Sequence, residues 1–204
     1  IINKKIRKVY FSIKDPDFRS YNKCRKILSK RGTFVSAGVL KNEIGSFYRS
    51  YIKNKRCELP FVTCKLAVSK DFFTITNAKK KWITNEYSRG RVHLMRSRHD
   101  CILTSANTII KDNSRLNCRI EGLKNLNPAR IILDKNLKSP INSKIFADAR
   151  NIKTFIFYNK TDEKKIKSLN KIAIKHHKIS LDYNNNLDLR ECLLIIKKLG
   201  FARV

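Results

Sequence analysis

Residues 82–119, WITNEYSRGRVHLMRSRHDCILTSANTIIKDNSRLNCR, constrain the chain most, because they prescribe a turn, a helix, a short strand and a second helix in close succession. Thr84 offers an N-cap. After it Tyr87, Val92, Leu94 and Met95 supply a loose helical apolar face, with Arg89, Arg91, Arg96 and Arg98 around it. Cys101-Ile102-Leu103 is a short apolar run of strand type, and Ser105 can cap the helix that follows. A loop carrying Arg115 and Arg119 closes the stretch. Binding a phosphate takes convergent cations and exposed backbone N–H groups at a helix start, and this segment can supply both. Arginines scattered along a surface helix of a basic protein give the same pattern without that function.

The flanking sequence alternates strand and helix signals. Residues 8–13 predict a strand closed by the Asp15-Pro16-Asp17 turn, and residues 21–30 a helix ending at Gly32. Residues 33–36 predict a second strand, and 43–53 a helix with Ile44, Phe47, Tyr48 and Tyr51 on its apolar side. This β-α-β-α order implies parallel strands under packed helices. Residues 53–59 form a polar connector, so residues 1–55 read as one unit and 60–204 as a second. The run 61–68 predicts a strand central in a sheet. Further strands are expected at 130–134 and 153–158, followed by helices at 162–172 and 187–199, the latter ending before Gly200. Phe201-Ala202-Arg203-Val204 starts another strand. His176-His177 suggests metal at first sight, but sequence neighbours point apart and no carboxylate stands in register, so a solvent-exposed pair is expected.

The 204 residues carry 46 Lys and Arg against 16 Asp and Glu, a net charge of +30. Such a charge points toward a polyanion such as nucleic acid. The lysines, however, are spread along the whole chain among abundant Ile and Asn, as AT-rich coding would produce. No nucleic-acid recognition motif appears, and the aromatics sit in core-like strands rather than among the basic residues. A basic nucleic-acid-binding module therefore stands as the alternative reading, beside an inactive remnant. The six cysteines form no C-x-x-C pair and no His/Cys metal spacing, which favours a reduced, cytoplasmic setting. No apolar run approaches the roughly 20 residues of a membrane span.

Taken together, the motifs resemble a known family. Lys65-Leu66-Ala67-Val68-Ser69-Lys70-Asp71, Trp82-Ile83-Thr84, Met95-Arg96-Ser97-Arg98-His99-Asp100, Thr108, Asp112-Asn113-Ser114-Arg115-Leu116 and Asn127-Pro128-Ala129-Arg130-Ile131-Ile132-Leu133-Asp134 stand in the order seen in the bifunctional riboflavin-biosynthesis deaminase–reductases. Residues 1–55 are similar to the end of that family's deaminase domain, through Arg7-Lys8-Val9-Tyr10, Lys14-Asp15-Pro16, residues 34–40 and Phe47. The resemblance implies an α/β chain: the tail of a cytidine-deaminase-like three-layer unit, then a dihydrofolate-reductase-like domain with a mixed sheet. It implies NADPH-dependent reduction of 5-amino-6-(5-phosphoribosylamino)uracil, a phosphorylated pyrimidine, to the ribitylamino product. A homodimer is implied for the complete protein.

Carried over by position, Ala67, Trp82, Thr108 and Asp112 would contact NADPH. Arg96, Leu116 and Arg119 would hold the substrate, the arginines gripping its phosphate through their bidentate forks. Three positions depart from the family pattern. Its Gly after the Asp is Phe72, its glycine-bearing loop before the Trp is Asn77-Ala78-Lys79-Lys80-Lys81, and its substrate-contacting Ser is Lys80. Zinc belongs to the deaminase chemistry, and its H-x-E and P-C-x-x-C signatures do not occur in these residues. In the family they lie upstream, and a Glu-Gly-Gly segment follows the strand begun at Phe201. Both are expected outside this chain.

Overall fold

The computed structural model describes residues 1–74 and 83–204, so Trp82 and Lys80 lie outside the described residues. The chain divides into two compact units, Ile1–Phe61 and Val62–Val204.

In the first unit, β1 (Lys8–Phe11) and β2 (Phe34–Ala37) pair in parallel, with Lys8 opposite Phe34 and Phe11 opposite Ala37. Helix α1 (Lys23–Lys30) connects them, and Gly32 follows it at φ +75°, the left-handed conformation that ends helices at little cost to glycine. The helix expected over 43–53 is divided at Tyr48 into α2 (Lys41–Phe47) and α3 (Arg49–Arg56). The aromatic residues there make edge contacts with one another, Phe47 with Tyr48 and Tyr48 with Tyr51.

The second unit is built on a four-stranded sheet in the order β3 (Cys101–Ser105), β4 (Ala129–Leu133), β5 (Thr154–Tyr158), β6 (Lys175–Lys178). All three pairings are parallel. An isolated antiparallel bridge joins Leu181 and Leu187. Central β5 is buried along its whole length and β4 along all but its last residue, as strands covered on both faces must be. Ile132, Ile156, Ile145 and Leu169 form the core on one face. Ile131, Phe155, Phe157, Cys192 and Ile196 form it on the other.

Helices α4 (Glu86–Ser97) and α5 (Ala106–Asp112) flank β3 in sequence, and α6 (Glu163–Lys171) and α7 (Leu189–Lys198) flank β6. Their N-caps follow local chemistry. Asn85 accepts from Ser88 N at 2.9 Å, one residue beyond the Thr84 expected to cap α4. Asp162 accepts from Lys165 N and Asp188 from Arg190 N and Glu191 N.

Three expectations are corrected. The run 61–68 forms no continuous strand: Phe61 carries an isolated bridge, 62–68 are irregular, Val62 and Leu66 are exposed, and Thr63 N donates to Val204 O at 2.8 Å. An apolar run becomes a central strand only when a ladder forms on both sides, and among the described residues no continuous ladder forms here. Likewise Phe201-Ala202-Arg203-Val204 gives no strand of its own, although Asp100 N and Cys101 N both donate to Arg203 O. His176 and His177 are not a solvent-exposed pair. They lie half-buried on β6, where His177 packs on Phe155 and Phe157 and His176 on Tyr158. Alternation in a strand sends the two rings to opposite faces, each against an aromatic neighbour.

Candidate functional site

Helix spacing makes the site. His93 and Arg96 stand three residues apart near the end of α4, on one face. Opposite them runs the loop 113–119, anchored at several points. Arg130, wholly buried on β4, donates to Arg115 O at 3.1 Å. Its guanidinium also reaches Asp148 at 2.5 Å and Thr154 Oγ1 at 2.7 Å, so this buried cation is fully paired. Leu116, at φ +53°, packs against the core cluster that contains Ile132. Cys118 N donates to Asn127 Oδ1 at 2.7 Å, and the buried Cys118 thiol meets His93 O at 3.4 Å.

These anchors bring Arg119 to α4. The Arg119 guanidinium lies 3.3 Å from His93 Nε2, and Arg96 Nη1 lies 3.5 Å from His93 Nδ1. Asn117 O accepts from Arg96 Nη1 at 3.0 Å and stands 3.1 Å from His93 Nδ1. Among the described residues neither guanidinium pairs with a carboxylate. Burial lowers the Arg96 pKa, and Arg119 lowers it further. Burial likewise depresses His93, helped by Arg96 and Arg119. Two cations share one imidazole without a counter-charge, an arrangement suited to an anion. A cavity bordered by Asp100, Asn117, Asn127 and Asp148 opens beside Asn117.

Arg96 and Arg119 are thus brought together, with Leu116 in the loop that carries Arg119. His93 was not among the residues expected; its signal was the i, i+3 spacing to Arg96. Thr108 is half-buried and Asp112 exposed on α5, beyond the other end of β3, and neither side chain has a partner among the described residues. The two stand one helical turn apart and follow the carboxyl end of a parallel strand. Ala67 is half-buried in the irregular segment 62–69. No hydrogen bond or ion pair among the described residues joins Ala67, Thr108 or Asp112 to the arginine pair. The His99-Asp100 part of the motif is structural. His99 bridges Met95 O and Thr63 Oγ1, and Asp100 Oδ2 accepts from Ala202 N and Arg203 N.

Residues 60–204 match the RibD C-terminal domain. The chain belongs to this family. Riboflavin biosynthesis protein RibD of Actinobacillus pleuropneumoniae is 28% identical over 208 residues, a match to the whole of this chain and 53% of the relative. Its namesake in Bacillus amyloliquefaciens is 30% identical over 207 residues, again the whole chain and 54% of the relative. The chain therefore spans about half the length of these relatives. Among solved structures, Acinetobacter baumannii RibD superimposes with a TM-score of 0.81 at 22% identity, covering all of this chain and 55% of that one, which carries the fold. A diaminohydroxyphosphoribosylaminopyrimidine deaminase/5-amino-6-(5-phosphoribosylamino)uracil reductase of Thermotoga maritima gives 0.80 at 25% identity, over all of this chain and 54% of its own. The α/β class expected from the sequence holds. No helix among the described residues is long and apolar enough to cross a membrane.

Proposed function

We propose that the chain works in riboflavin biosynthesis as the NADPH-dependent reductase of 5-amino-6-(5-phosphoribosylamino)uracil. The observation that carries this reading is the convergence of Arg96 and Arg119 on His93 without an acidic partner, within the RibD C-terminal domain match. The two guanidiniums grip the substrate's phosphate, and Leu116 fixes the loop from which Arg119 reaches it. Thr108 and Asp112, with the Ala67 backbone and Trp82, hold the cofactor. When bound, its nicotinamide supplies a hydride to the sugar C1 in the opened imine form. The chain's own residues orient the two partners, and the phosphate grip limits the sugar's freedom at the reacting carbon.

Residues 1–55 belong to the same reading as the closing part of a zinc deaminase domain, a domain whose metal signature is not among these 204 residues. Homodimer formation and a cytoplasmic location of the complete protein also belong to it. No feature of the family match favours a nucleic-acid-binding module. Arg96→Ala tests the phosphate grip. Calorimetric titration with the phosphorylated substrate is expected to show affinity weakened by about 1.5–3 kcal/mol, the usual size of a charge-assisted contact. Unchanged affinity would refute the role.

A further inference from the structure

We propose that His93 is the positioning residue of the anion site: as a neutral imidazole it holds Arg119 beside Arg96, which Asn117 O secures, and it takes up a proton when a dianion enters. The inference rests on the phosphate-binding role of the arginine pair and adds a residue to it.

The ring's shortest contact, with Asn117 O, selects one form of it. Guanidinium nitrogens only donate, so the Arg119 group 3.3 Å from Nε2 needs an acceptor there. Asn117 O only accepts, so the 3.1 Å contact needs a proton on Nδ1. The neutral Nδ1–H tautomer satisfies both at once. Arg119 N at 3.3 Å and Arg96 Nη1 at 3.5 Å are donors turned toward the same Nδ1, but both stand farther off than Asn117 O, and Arg96 Nη1 donates instead to Asn117 O at 3.0 Å. An imidazolium would set Nε2–H against Arg119 and lose that acceptor. The charged and titratable groups facing the ring are Arg96 from α4 and Arg119 and Cys118 from the loop, with no carboxylate among the described residues. The lowered pKa of His93 agrees with this setting.

An incoming dianion reverses the balance. Arg119 turns from the imidazole to the anion, the repulsion between the cations is screened, and Nε2 becomes free to carry a proton and donate to the ligand. Binding and protonation are then linked, and each must favour the other. The sign follows from the direction of the shift. Protonation is easier in the bound protein, so affinity rises as pH falls between the imidazole's bound and free midpoints, and is flat outside that window.

Sulfate is the probe, because it stays a dianion throughout this range whereas phosphate titrates within it. Calorimetry with the 204-residue chain is expected to show sulfate affinity rising about fivefold from about pH 8 to about pH 5.5, within the tenfold per unit that one linked proton allows. His93→Gln keeps an acceptor for Arg119 but has no proton to gain, so its affinity should not change with pH. A proton NMR titration of the wild-type imidazole should give a midpoint moved upward by sulfate. A flat wild-type profile, with binding still abolished by Arg96→Ala, would overturn the role of His93 and leave the arginine grip standing. Sulfate binding indifferent to Arg96→Ala would overturn both.

Discussion

The two units of this chain reach order by different means. In Val62–Val204, two apolar clusters sandwich a parallel sheet, and Ile131, Ile132, Ile156 and Phe157 have no exposed surface. In Ile1–Phe61, Leu28 is the one hydrophobic side chain among the buried residues, while Tyr10, Phe34, Leu40 and Phe47 are exposed. There the ties are polar. Asp17 receives Arg19 Nη2 at 2.6 Å and Lys55 Nζ at 2.8 Å, and Asp15 accepts from Ser20 Oγ and from Tyr51 Oη. Burial is nondirectional and scales with apolar area, whereas such polar knots fix geometry and contribute little net free energy. The second unit should therefore be the thermodynamically sturdier one, and the site on α4 stands on it.

The contrast can be broken most sharply at Phe157. Replacing it with Ala should destabilise the second unit by about 3–5 kcal/mol in denaturant unfolding, the transfer of a ring plus the cavity it leaves. Acid tests the first unit. The Asp17 carboxyl is held far below the usual carboxylate range by Arg19 first and Lys55 next. A lowered native pKa contributes stability that is present above the unfolded pKa of about 3.9 and is lost as pH falls below it. Acidification below about pH 4 should loosen α3 from the turn, read as altered tyrosine fluorescence, and Asp17→Asn should show that change already at neutral pH.

A smaller effect is expected at Phe72, which stands where the family has Gly and adopts φ +64°. The turn there is closed by Phe72 N donating to Ser69 O and Ser69 N to Phe73 O. A left-handed backbone costs a side-chain-bearing residue about 1 kcal/mol, so Phe72→Gly should raise stability by about that amount in the same unfolding measurement. Smallest of all, Phe47→Ala should move stability by less than about 0.5 kcal/mol, since its ring is 79% exposed and touches only Tyr48 among the described aromatics.

What could be read from the sequence follows the same division between local and nonlocal causes. Strands β3, β4 and β5 and helices α4, α6 and α7 were visible because their periods and caps are written within a dozen residues. Strand β6 was not, because Lys175-His176-His177-Lys178 carries no apolar signal; its rings find their partners on Phe155, Phe157 and Tyr158, about twenty residues away. The apolar run 61–68 erred the opposite way, looking like a strand without a full ladder. At the site, the family pattern located both Arg96 and Arg119, but not the ring between them. That His93 meets Arg119 depends on Arg130 and Asn127 drawing the loop 113–119 to α4, which no local pattern reports.

Asp100 Oδ2 receives the backbone N–H groups of Ala202 and Arg203, partners 102 and 103 positions downstream. On a ribosome adding about 5–20 residues per second, the carboxylate emerges about 5 to 20 seconds before those partners are made. Through that interval the entrance to β3 stays unlatched, so the helix bearing Arg96 can settle only once Ala202 and Arg203 have been translated.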